Sequence, residues 1–574
     1  MIERILERIR QDDFREWLVE LLVEICRIDT TPSPDIARMR DAEAAVFDIL
    51  ERELKRLPFR DARCRRRPID PAIARHPAFS KLHFTKTRER PEGLSPEEVY
   101  AERTNLLYLV DGVRAVDGAK VSAGGVALNA HIDVVAPFFP PRVENGVVFG
   151  RGTCDDKGNV VAMIGALRAV AETLADEGRT PRVPLTAMIV VEEETGGNGS
   201  LSLALDRKLR ERYDTLLVLE CCENRIYPAN RGAVWYQFEI RAAEHGVDDV
   251  ELVAFLIEEL ENEGRAIRAE SRHRLFPQRP VQTCQGILDR YGEHPSRICG
   301  AVRFEVRFAS APNEAVRQLV QDVLDFAVRE YVGLYGDKTQ QTDPTTGRPK
   351  VERHYDLAAE GDRLVVHVHG STGHMGSILE NDDAITKAAW MIRNLVRSRE
   401  RVERTAGGSL QIHLSDRANP DVLVLEGGQG FVPTHGIDEI MRRMLEAARR
   451  GAAHYLARVG RGDLSAESLV VGSYDKLHND AFDGDPDSPA LRDAVLAAKR
   501  CGFWKGEPVC GWTVSCDARL FAREYPDLTV LTTGAGRLQD AHSDSECLDV
   551  DELVRSVELL SLFILKQTAG VPLA

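Results

Sequence analysis

No uninterrupted apolar run in the 574 residues approaches the roughly 18 that a membrane-crossing helix needs, which argues against a membrane partner. An excess of basic residues is missing too. Lys+Arg number 75 against 91 Asp+Glu, a net charge of −16, which argues against nucleic acid as the main partner. The 11 cysteines are scattered, odd in number and free of CxxC pairs. They read as reduced thiols of a cytoplasmic protein rather than as a disulfide framework. The opening MIERILERIRQDDFREWLVELL carries charges every few positions and lacks the apolar core of a secretory signal. GTCDDKG at 152–158 lacks the GxxxxGK[ST] spacing, so no phosphate-cradling loop is expected. What remains is an ordinary globular composition, 43% hydrophobic and 29% charged, long enough for two to four domains at roughly 150 residues each.

Apolar residues at helical spacing predict a helix over 3–26 and another over about 41–56. Residues 60–103 are rich in Arg and Pro and weakly periodic, and read as a surface insertion. From 104 to 231 short apolar strands (Thr104–Val110, Val126–Ala130, Leu185–Val191, Thr215–Leu219) alternate with one long helix at 157–177. The style resumes with a strand at Leu528–Thr532 and a helix from Asp551 to about Gln567. Between them, 232–477 holds strands and amphipathic helices of its own. The expected fold is α/β: a mixed, mostly parallel sheet flanked by helices (1–231 and 478–574), interrupted by an inserted α/β lid domain at 232–477.

Metal-ligating residue types sit at or just beyond the ends of those strands. VALNA runs into His131-Ile132-Asp133, LTAMIVV into Glu192-Glu193-Glu194-Thr195-Gly196-Gly197, TLLVL into Glu220, and LTVLTTGAG leads to Ala541-His542. Ligands of open α/β sheets bind outside the carboxyl ends of the strands, so four such ends can converge on one site. Two His with Asp and Glu carboxylates suit two zinc-like ions. His131 and Asp133 point the same way in extended chain, so the carboxylate can hold the other imidazole N–H. Adjacent Glu193 and Glu194 diverge, so one can ligate while the other acts as base. Two ambiguities stay open at this point: Glu223 could replace Glu220, and Glu192 could shift the base–ligand frame by one. The later pair is favoured, with Glu192 as the last strand residue, satisfied by solvent or neighbouring backbone.

The ordered motifs resemble a known family. His131-x-Asp133, GRGTCDDKG at 150–158, EEETGG at 192–197, Glu220 with Arg231-Gly232, HGSTGHMGS at 369–377 and AHSDSE at 541–546 are similar to those of the dinuclear zinc metallopeptidases. That family includes aminoacylase, glutamate carboxypeptidase, carnosinase-type dipeptidases and succinyl-diaminopimelate desuccinylase. The resemblance implies two Zn²⁺ per chain, with Co²⁺ or Mn²⁺ also able to serve, bridged by Asp155 and a water. It implies that His131 and Glu220 complete one ion, Glu194 and His542 the other, with Glu193 as general base and Asp133 supporting His131. It implies a cis peptide after the bridging aspartate, and a lid that often dimerises and delivers a histidine, best matched by His374, to stabilise an oxyanion. Here His374 comes after the strand–helix unit at 300–326 rather than before it, so the lid is rearranged or enlarged.

The expected activity is metal-dependent hydrolysis of an amide or peptide bond in a small substrate: a dipeptide, a C-terminal residue or an N-acyl amino acid. The alternatives are a non-hydrolytic, metal-containing binding protein of the same fold and, behind it, a dinuclear-metal phosphodiesterase. Cys154, Cys221 and Cys222 border the proposed ligands and read as small packing residues. Arg307 and Arg519 could hold a substrate carboxylate, although salt bridges are the commoner fate of arginines. A homodimer through the lid is a further expectation.

Overall fold

Six strands form the central sheet of the computed structural model, which describes residues 1–112, 124–342, 347–377, 382–419, 421–474 and 478–573. Their hydrogen-bonded order is 62–68, 104–110, 185–190, 126–131, 215–219, 529–533. The first two pairings are antiparallel and the remaining three parallel. The four parallel-paired strands therefore run the same way and end on the same edge of the sheet. Nearly every residue of Val126–His131, Leu185–Val190 and Thr215–Leu219 is buried, as helix-covered parallel strands require.

Helix Lys157–Asp176 lies in the middle of the core, packed against Asp12–Cys26 and Val550–Ala569. Gly165 permits the crossing: a Cβ there would meet Leu18 Cδ2 at 2.8 Å and Val557 Cγ2 at 3.0 Å. By length and composition alone this helix would suit a bilayer, but Arg168 and Glu172 interrupt its apolar run and 83% of its apolar window is buried inside the protein. Asp549 caps the last helix by accepting from Asp551 and Glu552 N–H, and left-handed Gly570 ends it.

Two expectations change. The single helix expected over 3–26 is two, Ile2–Ile9 and Asp12–Cys26, because Gln11 is extended. The supposed surface insertion at 60–103 opens with the edge strand of the sheet, Ala62–Pro68, paired from Ala62↔Val110 to Pro68↔Thr104. Arginines on both of its faces hid the period-2 pattern. One of them, Arg66, reaches Glu51 at 2.7 Å, and charge along an outer strand is a usual guard against edge-to-edge pairing.

The chain divides into two compact units, Met1–Gly232 with Arg272–Arg279 and Lys476–Ala574, and Ala233–Ser271 with Pro280–Asp475. The expected boundary at 477 lies outside the described residues. The second unit holds one topology twice. Its outer module runs strand Gly232–Ile240, helix Asp249–Glu270, strands Thr283–Leu288 and Leu423–Phe431, helix Ile437–Arg458 and strand Val470–Ser473. Along its sheet the order is second, third, first, fourth. The inner module runs strand Ala301–Phe308, helix Glu314–Tyr335, strands Tyr355–Glu360 and Arg363–His369, helix Ala384–Arg397 and strand Leu410–Leu414, in the same order. It is inserted between the two middle strands of the outer module. This is the enlargement that displaced His374 along the sequence.

Candidate metal centre

The parallel strand ends deliver the acids and imidazoles. His131 closes its strand in register with Val190, and Glu220 follows Leu219 with its N–H on Thr533 O at 2.9 Å. The 150–158 loop and the 541–546 segment, nearly 400 residues apart, are joined by a small three-stranded sheet (Arg142–Glu144, Val147–Phe149, Cys547–Asp549) that pairs Phe149 with Cys547. Gly150 N–H then donates to Glu546 O at 3.0 Å.

Two buried groups of three donors result, His131–Asp155–Glu220 and Asp155–Glu194–His542, each with its ligand atoms within 4.8 Å of one another. Asp155 belongs to both and faces a histidine with each oxygen: Oδ1 lies 3.2 Å from His131 Nε2, and Oδ2 lies 3.2 Å from His542 Nε2. His542 Nε2 is also 3.0 Å from Glu194 Oε1. Glu223 is exposed while Glu220 is buried within the first group, which resolves that ambiguity geometrically. The peptide bond Asp155–Asp156 is cis, as the resemblance implied.

The electrostatics report a concentration of negative charge. Burial, and then the Asp517 charge, raise the Glu193 carboxyl well above its ordinary range. Burial likewise raises Glu194, with Asp155 adding to it, and raises Glu220, helped by Glu193 and Asp155. Burial works against the His542 cation, yet Glu194 and Asp155 raise its pKa to about 10. Asp155 is held low by the two histidines despite its burial. Three carboxylates and two imidazoles, all buried and with histidines as the ion-pair partners of Asp155 and Glu194 among the described residues, form a donor set that fits two divalent cations.

The surrounding residues fix this arrangement, and several were missed in the sequence. Asp133 was expected to hold His131 through its carboxylate. His131 Nδ1 in fact lies nearer the Asp133 main-chain carbonyl (3.0 Å) than the carboxylate (3.4 Å). The Asp133 oxygens instead accept from Glu193 N–H (3.1 Å) and Glu194 N–H (3.0 Å), so Asp133 sets the turn that separates those two residues. Glu546 Oε1 accepts from the N–H groups of Gly152, Cys154 and Asp155 at 2.9–3.1 Å, and its Oε2 meets Arg151 Nη1 at 2.5 Å. Only its place at the end of AHSDSE hinted at this. Asp156 accepts from His131 N–H at 3.2 Å and from Asn159 Nδ2 at 2.7 Å.

Glu192 is not the last strand residue satisfied by solvent or backbone. It lies beyond Val190 with φ 66°, buried, and its carboxylate receives Tyr100 Oη at 2.9 Å and Arg103 Nη1. Arg519 is consumed by main-chain carbonyls, Cys516 O at 2.6 Å and Gly196 O at 3.0 Å, and Arg307 pairs with Glu305. Burial pushes the Cys222 thiol well up, and Cys154 and Cys221 are raised too, as packing thiols are. His374 is in the second unit, buried, with Nδ1 accepting from Gly376 N–H at 2.9 Å.

A mostly parallel sheet with carboxylates and histidines gathered beyond its strand ends defines an α/β protein with a candidate metal centre. Residues 127–566 match the profile of Peptidase family M20/M25/M40, and the chain belongs to that family, whose metallopeptidases use divalent cations. Over 121 residues it is 34% identical to a Peptidase M20 domain-containing protein of Schizosaccharomyces pombe, covering 21% of this chain and 28% of that protein. Over 112 residues it is 36% identical to a probable carboxypeptidase of Aspergillus terreus, covering 19% and 22%. The chain thus spans about a quarter of the length of these curated relatives. Human carnosine dipeptidase 1 shares the fold over 100% of both chains at 14% identity and a TM-score of 0.55. The Saccharomyces cerevisiae dipeptidase Dug1p shares it over 100% and 99% at 15% identity and 0.53.

Proposed function

We propose that the protein is a metal-dependent hydrolase that cleaves the amide or peptide bond of a small substrate, a dipeptide or the C-terminal residue of a short peptide before an N-acyl amino acid. The observation that carries this reading is the pair of three-donor groups sharing Asp155. His131, Asp155 and Glu220 would hold one divalent ion, zinc for preference, and Asp155, Glu194 and His542 the other. Ions bound there would make a water nucleophilic near neutral pH and polarise the scissile carbonyl.

The remaining work falls to the chain itself. Glu193 is partly exposed and stands beside both groups without belonging to either. It takes the proton of the attacking water and returns it to the leaving nitrogen, and its raised proton affinity suits both halves of that task. Asp133 holds the Glu193 and Glu194 N–H groups so that one side chain ligates while the other stays available. Relatives described as dipeptidases and probable carboxypeptidases favour free peptides as substrates.

The test is turnover of the zinc-, cobalt- or manganese-loaded protein on a panel of dipeptides and N-acyl amino acids, with Glu193→Gln in parallel. Metal-dependent hydrolysis lost in the variant supports the reading. Full metal loading with no turnover on any member overturns it.

A further inference from the structure

The residues 60–103 were read from sequence as a solvated insertion, yet the end of this segment and the strand after it grip the loop that carries Glu193. Asn105 accepts from Val191 N–H at 3.3 Å and donates to Gly199 O at 2.9 Å, tying the two arms of the loop together. Ser80 Oγ donates to Gly196 O at 3.1 Å, while Ser80 and Asn198 exchange two hydrogen bonds, at 3.0 and 2.9 Å. At the point where the chain leaves the sheet, Glu192 adopts φ 66°, a conformation a glutamate rarely takes unaided. Both of its oxygens are held there, one by Tyr100 Oη at 2.9 Å and one by Arg103 Nη1. Arg103 is fixed in turn by Glu43, with Nε on Oε2 at 3.0 Å and Nη2 on Oε1 at 2.6 Å. Tyr100, Arg103, Glu43 and Glu192 are all buried.

We propose that Arg103, acting with Tyr100 through Glu192, is a positioning residue that holds the left-handed turn from which Glu193 projects. This rests on the reading of Glu193 as the base. Asp133 alone secures the N–H groups of both Glu193 and Glu194, and Glu194 is further engaged by His542. Among the described residues Glu193 has no such second hold on its side chain, so its aim depends on the conformation of the residue before it. Releasing the Glu192 carboxylate therefore displaces the base more than the ligand beside it. A misplacement of about 1 Å costs on the order of 10²-fold in rate.

The test uses the full-length, zinc-loaded protein with Tyr100→Phe, Glu192→Gln and the conservative Arg103→Lys. Expected is a fall in kcat of roughly 10- to 100-fold for Glu192→Gln and several-fold for Tyr100→Phe. KM and bound zinc should stay within about twofold of the parent, because the ligands keep their own supports. Hydrogen–deuterium exchange gives a readout independent of turnover, with faster exchange of the 193–199 amides in each variant and unchanged exchange in the 126–131 strand. A loss of thermal stability with kcat and 193–199 exchange both unchanged overturns the proposal and leaves the contacts purely structural. If the parent hydrolyses none of the peptides, the hydrolase reading fails, and unchanged exchange at 193–199 overturns the positioning role by itself. Should Arg103→Lys fail to fold, the two milder variants carry the test.

Discussion

Two sets of buried carboxylates lie close together in the first unit and are treated in opposite ways. Glu546 has Arg151 and three main-chain N–H groups; Glu43 and Glu192 share Arg103. These acids organise the loops around the centre, and each has a cation of the chain beside it. Among the described residues, the ion pairs of Asp155 and Glu194 are with His131 and His542, and Glu220 is grouped with His131 and Asp155. An isolated buried charge is expensive enough that proteins pair it, bind a metal with it or leave it protonated. Among the described residues, the ion pairs of the supports are with arginines and those of the centre with histidines. The difference separates residues that need the protein from residues that need an ion.

The strongest way to break that contrast is to remove the shared donor. Asp155→Ala should take metal content from two ions to none by elemental analysis, and turnover should fall by at least the ~10⁴-fold upper range for losing a general base. Glu193→Gln should keep both ions and lose about 10² to 10⁴-fold in kcat, whereas Glu194→Gln should become metal-poor and regain activity in excess zinc. On the supporting side, Arg151→Met strands Glu546 in the interior and should cost about 3–5 kcal/mol of stability, read by urea unfolding of the metal-loaded protein.

The smallest effect sharpens the contrast most. Without metal, the raised carboxyls of Glu193, Glu194 and Glu220 bind protons more tightly folded than unfolded. Their contribution is fully present below the unfolded value of ~4.3 and is lost as pH rises from there through the folded values. His542, raised to about 10, acts in the same direction only above its unfolded value of ~6.5, and Asp155, held low, adds stability only as pH rises to its unfolded value of ~3.9. Chelated protein should therefore lose stability between pH 4 and neutrality, and Glu220→Gln should raise its Tm by a few degrees near pH 7. Zinc should reverse both, adding about 2.7 kcal/mol per site at a hundredfold excess over Kd. Chelated protein whose stability rises over that pH range would remove the distinction between the two sets.

The candidate donor groups were legible because the chemistry is local to strand ends: an acid or histidine directly after an apolar run needs no long-range knowledge to be noticed. The sheet strands and the long helices were legible for the same reason of period. What the sequence hid was partnership. Glu192 looked like a strand terminus because Arg103 stands 89 residues upstream of it. Asp133 was placed against His131 by spacing alone, which is blind to the main-chain N–H groups of the turn after the neighbouring strand. Ala62–Pro68 escaped notice because a strand built as ARCRRRP has no apolar face to read. The 232–477 region showed its helices but not its pairing order, since periodicity says nothing about which strands become neighbours.

That pairing order shapes how the chain is made. Tyr291 Oη donates to both Arg303 O (2.9 Å) and Ser415 O (3.1 Å), so the inner module begins and ends at one point. On a ribosome, strand Thr283–Leu288 emerges well before its partner Leu423–Phe431, and residues 289–422 take on the order of ten seconds to synthesise at ~5–20 residues per second. Throughout that interval the outer sheet is half-built with an open edge, and by its end the inner module is complete in sequence and free to close by itself. The nascent second unit thus matures from the inside outward. The same geometry makes the inner module the portion of the chain that a lineage could gain or lose without disturbing the register around it.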